Sequence, residues 1–117
     1  MRVAHYINQF FGGLGGEEAA DAPITARVGV VGPSIGLQQA LGDRGEVVVT
    51  VIGGDTYVVE HEAQALTDIV GALRGACADV LVAGPAFNAG RYGLACALAC
   101  QSALGSISAR LRFITSR

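Results

Sequence analysis

The sequence predicts a small α/β domain built on a mostly parallel sheet. Its 117 residues are enough for one domain with a modest core. Three short, continuous apolar runs are each followed within two residues by glycine, a pattern typical of strands that are buried on both faces. Segments with helical spacing of apolar residues lie between these runs. Strands that alternate with helices favour parallel pairing, because each helix carries the chain back to the starting edge of the sheet.

The apolar runs predict three central strands, which cover Arg2–Phe10, Glu46–Ile52 and Asp79–Ala83. The second run, EVVVTVI, is rich in valine, whose branched side chain suits a pleated and buried surface. A fourth strand is predicted at the edge of the sheet through Leu111–Ile114.

Helices are predicted between and after the strands. Ser34–Leu41 follows Pro33 and precedes Gly42, a proline that suits a helix start and a glycine that suits a helix end. Glu60–Cys77 has an apolar stripe at three- and four-residue spacing. The stripe consists of Leu66, Ile69, Val70, Leu73 and Cys77. A third helix, mostly small and apolar, is predicted from about residue 90 to residue 104.

This order of elements predicts right-handed crossovers and an open, three-layer α/β sheet of the Rossmann or flavodoxin-like kind. We assign residues 1–105 to this domain and residues 106–117 to a divergent, basic C-terminal tail that contains three arginines.

Charge and composition exclude several classes of protein. The net charge is −2 and lysine is absent, whereas a nucleic-acid-binding domain needs a basic face. No apolar run is long enough to span a membrane. Residues 1–11 contain polar side chains where the apolar core of a signal peptide would lie. We therefore expect a cytoplasmic protein that binds neither nucleic acid nor a membrane.

Polar side chains and glycines follow each of the three predicted strands. These loops cover residues 8–18, 53–57 and 84–93. In an open parallel sheet, ligands bind outside the carboxyl ends of the strands, where such loops meet. The opposite edge carries ordinary turns such as Gly42–Gly45. This asymmetry predicts a binding site at the carboxyl edge.

The first loop admits two interpretations. A glycine-rich segment after a strand is compatible with dinucleotide binding, but this one lacks the G-x-G-x-x-G spacing, and no lysine follows to complete a P-loop. Glu17 and Glu18 lie where a phosphate would need bare amide donors, and two carboxylates repel it. The alternative is a flexible turn.

The third loop also admits two interpretations. Arg91 lies at the predicted start of a helix, where its guanidinium and free backbone N–H groups suit a carboxylate ligand, with Asn88 beside it. Alternatively, Asn88 caps the helix and Arg91 pairs with Glu17, Glu18 or Asp55.

The cysteines and histidines are assigned mainly to the core. An odd number of cysteines argues against a disulfide framework, and a metal at Cys96 and Cys100 would need further ligands that His5 and His61 are not spaced to provide. We expect these two cysteines and Cys77 to be small buried hydrophobes. His61 is predicted to be solvated. For His5, a hydrogen-bonded core histidine is favoured over a catalytic base.

Two long segments resemble a known family. The opening segment HYINQFFGGLGGEE, residues 5–18, is similar to the start of the large, selenium-containing subunit of component B in glycine, sarcosine and betaine reductases. The segment AGPAFNAGRYG, residues 83–93, with Ala95 and Cys96, is similar to a second signature of that subunit. Weaker similarities lie at residues 31–33 and 54–57. The chain thus resembles the N-terminal part of this subunit in the glycine/sarcosine/betaine/D-proline reductase family.

The resemblance implies an oxidoreductase that cleaves a carbon–nitrogen bond reductively. It implies a partner subunit whose pyruvoyl group holds an amino substrate, a selenocysteine or cysteine that displaces the amine, and a small selenoprotein A that accepts the carboxymethyl group. The family subunit is several times longer, and its selenocysteine lies beyond the part that this chain resembles. We therefore expect the selenol or thiol to be supplied elsewhere, and no cofactor or metal in this chain.

The resemblance implies that this chain corresponds to the substrate-binding end of the subunit. The residues carried over as substrate-binding are Asn8, Glu17, Glu18, Asp55, Asn88, Arg91 and Tyr92. We expect the chain to work in a homo- or hetero-oligomer with other reductase subunits and a small amino-acid substrate. Two other functions remain open: a non-catalytic module for small-carboxylate binding or assembly, and a flavodoxin-like nucleotide binder.

Overall fold

The computed structural model describes residues 1–84, 90–104 and 112–113, with side chains described for residues 1–84 and 93–101. The strands in these ranges are β1 (Arg2–Ile7), β2 (Thr25–Val28), β3 (Glu46–Ile52), β4 (Val80–Ala83) and β5 (Arg112–Phe113). The α-helices are α1 (Ser34–Leu41), α2 (Asp55–Glu60), α3 (Glu62–Gly75) and α4 (Gly90–Leu104). Short 3₁₀ turns lie at Glu17–Ala19 and Gly42–Arg44.

The strands form one mixed, mostly parallel sheet in the order β2-β3-β1-β4-β5. The central strand β1 pairs in parallel with β3 and β4. At the edges, β5 pairs in parallel with β4, whereas β2 pairs antiparallel to β3. The parallel core of β3, β1 and β4 brings three strand ends to one edge of the sheet, which we call the carboxyl edge.

Helices cover both faces of the sheet. On one face, Ala4 and Tyr6 of β1 belong to a buried cluster that includes residues of α3 and α4. On the other face, Val3 of β1 belongs to a second cluster with Leu37 and Leu41 of α1. Successive side chains of a strand point to opposite faces. The same apolar run therefore supplies both layers, which is why the runs are continuous rather than alternating.

The predicted α/β class with a mostly parallel sheet is confirmed, and α1 and α4 have the predicted bounds. The sequence did not predict β2. All four of its residues are exposed, and it pairs with the outer side of β3. An edge strand with neither face buried carries almost no hydrophobic pattern, so the sequence gives little signal for a strand that is held mainly by backbone pairing.

The first strand is shorter than predicted, since β1 ends at Ile7 rather than at Phe10. The predicted helix 60–77 is confirmed as α3, which is two residues shorter at each end. The sequence did not predict α2, which is separated from α3 at His61, whose φ of −120° and ψ of 47° lie outside the helical region. Of the predicted stripe, Ile69 and Leu73 are fully buried. Among the described residues, no helix combines the length and apolar character needed to cross a bilayer.

Candidate functional site

Polar residues gather where the three parallel strands end. Asn8 follows β1, Gly53 follows β3 and Gly84 follows β4, and these strands are parallel neighbours. The carboxyl edge therefore holds residues 8–18, residues 53–57 and the first residue of the third predicted loop. Residues 85–89 of that loop lie outside the described part of the chain.

Asn8 closes the end of β1 with both its side chain and its backbone. Its Oδ1 accepts hydrogen bonds from the backbone N–H groups of Phe10 and Phe11, each at 3.1 Å. Its carbonyl oxygen accepts from Gly12 N at 2.9 Å, and its Nδ2 donates to Asp55 Oδ2 at 3.2 Å. Asn8 is only 6% exposed. These bonds turn the chain away from the sheet and tie the turn to the end of β3.

Gln9 makes a second connection between the same two loops. Its Oε1 accepts from the backbone N–H of Asp55 at 3.1 Å, and its Nε2 donates to the carbonyl of Gly16 at 3.3 Å. Gln9 and Asp55 are both buried. Asp55 lies in the first turn of α2, where the partial positive charge of a helix start suits a carboxylate. Asn8, Gln9 and Asp55 thus form a buried polar cluster, which we call the Asn8–Asp55 cluster.

Gly54 lets a third segment pack against this cluster. A Cβ at Gly54 would lie 2.1 Å from the carbonyl oxygen of Ala20 and 2.6 Å from the nitrogen of Ala22. Gly54 N–H donates to the carbonyl of Ala22 at 2.8 Å, and Tyr57 N–H donates to that of Ala20 at 3.0 Å. Residues 20–22 therefore lie directly on the start of α2, and glycine is the residue type that this backbone contact permits.

Glu17 and Glu18 lie on the same loop but are exposed to solvent. Glu18 Oε1 accepts from the backbone N–H of Gly16 at 2.9 Å. This bond, together with one from its own N–H, lowers the pKa of the Glu18 carboxyl. The carboxylate thus occupies an amide donor that a bound phosphate would need, so the geometry does not favour the nucleotide interpretation.

The remaining residues predicted to bind substrate lie in the third loop and α4. Asn88 lies outside the described residues. Arg91 and Tyr92 fall in the first turn of α4, but their side chains lie outside the described part. The structure therefore brings Asn8 and Asp55 together and places Glu17 and Glu18 nearby on the first loop. The role of all seven residues as substrate ligands stays a prediction.

His5 is a buried core histidine with two hydrogen-bond partners, as the favoured interpretation expected. It is 1% exposed. Its Nδ1 lies 2.7 Å from Ser34 Oγ, and its Nε2 lies 2.5 Å from the carbonyl oxygen of Gly84. His61 is exposed, and its ring lies 4.9 Å from that of Tyr57.

The cysteines divide into two kinds. Cys96 and Cys100 of α4 are buried, as predicted, and burial raises the pKa of Cys100 to about 11. The prediction that Cys77 is buried is wrong, because it is exposed. Cys77 follows the end of α3 with a φ of +53°, a left-handed conformation that turns the chain into β4. No group of His, Cys, Asp and Glu among the described residues is arranged to hold a metal ion.

Sequence reasoning placed Gln9 in the first loop but gave it no role, and it did not single out the buried hydroxyls of Ser34 and Thr50. Thr50 is the one polar side chain inside an otherwise apolar run, which is a usable signal for a buried hydrogen bond. Ser34 at a helix start reads as an ordinary capping residue. Its partner on β1 depends on the position of α1 over the sheet, which the sequence pattern does not specify.

Comparison with known proteins gives consistent matches. A family model described as glycine/sarcosine/betaine reductase selenoprotein B (GRDB) matches residues 1–114. The chain is 53% identical over 96 residues to a glycine reductase complex component B subunit gamma of Symbiobacterium thermophilum. It is 54% identical over 96 residues to a sarcosine reductase complex component B subunit beta of Peptoclostridium acidaminophilum, and 42% identical over 96 residues to a betaine reductase complex component B subunit beta of that organism.

Each of these three alignments covers 82% of this chain and 22% of the relative. The chain therefore spans a little over a fifth of the length of these curated relatives. No solved structure matches it.

Proposed function

Because this chain belongs to the glycine/sarcosine/betaine reductase selenoprotein B family, we propose that it forms the substrate end of a component B subunit. In this proposal the assembled subunit takes part in reductive carbon–nitrogen cleavage of a small amino acid or betaine. The relatives are named as components of reductase complexes, which supports a role for this chain within a complex. We also propose that this domain is of the open, three-layer Rossmann or flavodoxin-like kind.

The observation that carries the proposal is the Asn8–Asp55 cluster at the carboxyl edge. It links the loop after β1 to the loop after β3 through the 3.2 Å bond from Asn8 to Asp55 and the bonds of Gln9. Catalytic and binding residues are commonly carried by loops that a rigid scaffold positions. A buried network of this kind is such a scaffold. Of the predicted substrate residues, Asn8 and Asp55 belong to it, and Glu17 and Glu18 lie on the first loop.

We propose a division of charge across this edge. Arg91 and Asn88 bind the carboxylate of the substrate beside the first turn of α4, with Tyr92 next to them, and Glu17, Glu18 or Asp55 faces the cationic end. Glycine, sarcosine and betaine share a carboxylate and an ammonium group, so a common site needs both charges. The chain provides acidic side chains on the first two loops and an arginine at the start of α4.

The reacting groups come from outside this chain in the proposal. A selenol or thiol from elsewhere displaces the amine, and a pyruvoyl group on a partner subunit holds an amino substrate. Phe10 of the first loop is 64% exposed, and its ring lies edge-on to that of Phe11. In the proposal, this aromatic side chain contacts the rest of the subunit or a partner.

A second candidate is an assembly module that does not bind substrate. The observation in its favour is that Asn8 and Gln9 use their polar atoms on the chain itself and are at most 6% exposed. Side chains engaged in this way fix the loops, and do not need a ligand for their hydrogen bonds.

Calorimetric titration of glycine, sarcosine, betaine and proline into wild type and Arg91→Lys distinguishes the two candidates. A sheltered arginine–carboxylate contact contributes about 1.5–3 kcal/mol, so Arg91→Lys should weaken binding roughly tenfold to a hundredfold, because the two-pronged guanidinium contact is lost while the charge remains. Arg74→Lys is the matched control, since Arg74 is exposed at the end of α3 and should not affect binding.

Each outcome decides between the candidates. Weaker ligand binding in Arg91→Lys, with unchanged binding in Arg74→Lys, supports the substrate site. Equal binding by wild type and Arg91→Lys rejects Arg91 as the carboxylate ligand. No binding of any of the four compounds favours the assembly module.

A further inference from the structure

A buried chain of three polar side chains crosses the face of the sheet that α1 covers. His5 Nε2 lies 2.5 Å from the carbonyl oxygen of Gly84, and His5 Nδ1 lies 2.7 Å from Ser34 Oγ. Ser34 Oγ lies 3.0 Å from Thr50 Oγ1, which lies 2.7 Å from the carbonyl oxygen of Gly29. The three side chains are at most 1% exposed. These hydrogen-bonded side chains connect the end of β4 to the turn that follows β2.

The groups at the two ends of this row of side chains determine how many protons its hydrogen bonds need. Both ends are backbone carbonyls, which only accept, so its four contacts need four protons. The two hydroxyls of Ser34 and Thr50 supply one proton each, and a neutral imidazole supplies one more. With neutral His5, these side chains have one proton fewer than their four contacts need. A doubly protonated His5 supplies the missing proton.

The 2.5 Å contact identifies the neutral tautomer. A carbonyl oxygen and an unprotonated Nε2 would repel at that distance, so Nε2 carries the proton and donates to Gly84. Nδ1 then accepts from Ser34, and Thr50 divides its one proton between Ser34 and Gly29. In the protonated form each of these bonds has its own proton, because Nδ1 donates to Ser34, Ser34 to Thr50, and Thr50 to Gly29.

Apart from His5, Ser34 and Thr50, the buried side chains described on this face of the sheet are apolar. On the strands beside His5 the register partners are Thr50 and Val82. The cluster of side chains on this face consists of Val3, Val47, Val80, Val82, Leu37 and Leu41. In the part of the chain that the structure describes, the ring's polar partners are the Ser34 hydroxyl and the Gly84 carbonyl. Burial lowers the pKa of His5, and the bond to Gly84 opposes that effect.

We infer that His5 is a positioning residue for the carboxyl edge. Neutral His5 holds the Gly84 carbonyl through Nε2–H. Protonation of Nδ1 reverses its hydrogen bond with Ser34, so that Ser34 donates to Thr50 and the Thr50 proton goes to Gly29 alone. The end of β4 and the turn after β2 therefore respond to the same proton. This inference concerns the fold of the edge and does not depend on the substrate proposed above.

Nitrogen NMR of histidine-labelled protein tests the tautomer directly. The chain has two histidines, so a His61→Gln variant assigns the ring signals of His5. At neutral pH the wild-type ring should show a protonated Nε2 and an unprotonated Nδ1. It should titrate below the midpoint that the same ring shows in the urea-unfolded chain. A protonated Nδ1 with a bare Nε2, or a doubly protonated ring at neutral pH, overturns the inference. This measurement needs no substitution of His5, Ser34 or Thr50.

Backbone NMR at decreasing pH tests whether Ser34 connects the His5 ring to Gly29. In wild type, the amide signals of Gly84 and Gly29 should shift with one common midpoint, that of the His5 ring. In Ser34→Ala, which removes the middle hydroxyl, Gly84 should still follow the ring and Gly29 should not. If Gly29 does not shift with the ring in wild type, or still follows it in Ser34→Ala, the connection through Ser34 is rejected.

Two substitutions of His5 separate positioning from titration. In His5→Gln an amide replaces Nε2–H as a donor to Gly84 and does not titrate, whereas His5→Leu has no donor. We expect the Gly84 amide signal to stay near its wild-type position in His5→Gln and to move in His5→Leu. In both variants, the amide signals of Gly84 and Gly29 should no longer shift with a common midpoint. Equal displacement of Gly84 in the two variants would contradict the positioning role.

Discussion

At the scale of single residues, Asn8 shows how a short polar side chain shapes the candidate site. The apolar run continues past it through Phe10 and Phe11, yet the strand ends at Ile7. Its Oδ1 takes the two amide protons that an extended chain would offer to neighbouring strands. Asparagine favours such local bonds over strand ladders. The same side chain donates to Asp55, so one residue both ends β1 and joins the first two loops.

Asn8→Asp should destabilise the fold by about 3 kcal/mol or more at neutral pH, because it places a second carboxylate against buried Asp55 and removes the donor between them. The loss should shrink on acidification, when one of the two carboxyls takes up a proton. Urea unfolding at pH 7 and pH 5 measures both effects.

Gln64→Glu is the matched control for Asn8→Asp. Gln64 Nε2 also donates to a carboxylate, that of Asp68 at 2.9 Å, but on the exposed surface of α3. The same amide-to-acid change there should cost only a few tenths of a kcal/mol. Equal losses in the two variants would show that burial of the Asn8–Asp55 contact has no energetic consequence.

At the scale of elements, the start of α2 is the point where three segments meet. The chain leaves β3 through Gly53 and Gly54, and α2 begins at Asp55. The Tyr6 hydroxyl of β1 donates to the Gly53 carbonyl at 3.1 Å, and Ala20 lies against Gly54. These contacts fix the first turn of the short helix α2, which ends at Glu60 because His61 leaves the helical region.

Gly54→Ala should destabilise the domain by about 1–3 kcal/mol, because its Cβ would clash with backbone atoms that cannot rotate away. Gly71→Ala is the control, since a Cβ at this helical glycine meets no atom within 4 Å. It should stabilise α3 by up to about 1 kcal/mol, through the better helix propensity of alanine. Thermal unfolding of both variants gives the comparison, and a harmless Gly54→Ala would disprove the close contact with residue 20.

At the scale of the whole molecule, two groups in the described part of the chain contribute to acid sensitivity. The pKa of buried His5 is lowered from its ordinary value of 6.5, so below that pH the unfolded chain binds a proton that the folded chain resists. The pKa of Glu18 is lowered from 4.5, so the unfolded chain again takes up protons first. Both shifts therefore contribute stability that is present at neutral pH and lost as the pH falls.

The free energy of unfolding should accordingly decrease as the pH falls below about 6.5, before the carboxylates titrate. His5→Gln should flatten this first part of the curve, whereas His61→Gln, which changes an exposed ring, should leave its slope in place. Denaturant unfolding at half-unit steps between pH 7.5 and pH 5 measures the slope. A slope that survives in His5→Gln would assign the acid sensitivity to other groups.

Much of this architecture is determined by the sequence alone. Continuous apolar runs give β3 and β4 almost to the residue, and proline and glycine at its ends give α1. Glycines and polar residues after each run predict a site at the carboxyl edge. These features are local, because burial on both faces, helix ends and turns each depend on a few neighbouring residues.

Only the tertiary structure decided which side chains meet. Asn8 reaches Asp55 across 47 positions of sequence, and His5 reaches Gly84 across 79. Both contacts depend on the strand order, which places β1 between β3 and β4, and apolar runs of similar composition are compatible with several orders. The exposed strand β2 was equally beyond the sequence, since its pairing with β3 comes from backbone groups that every residue shares.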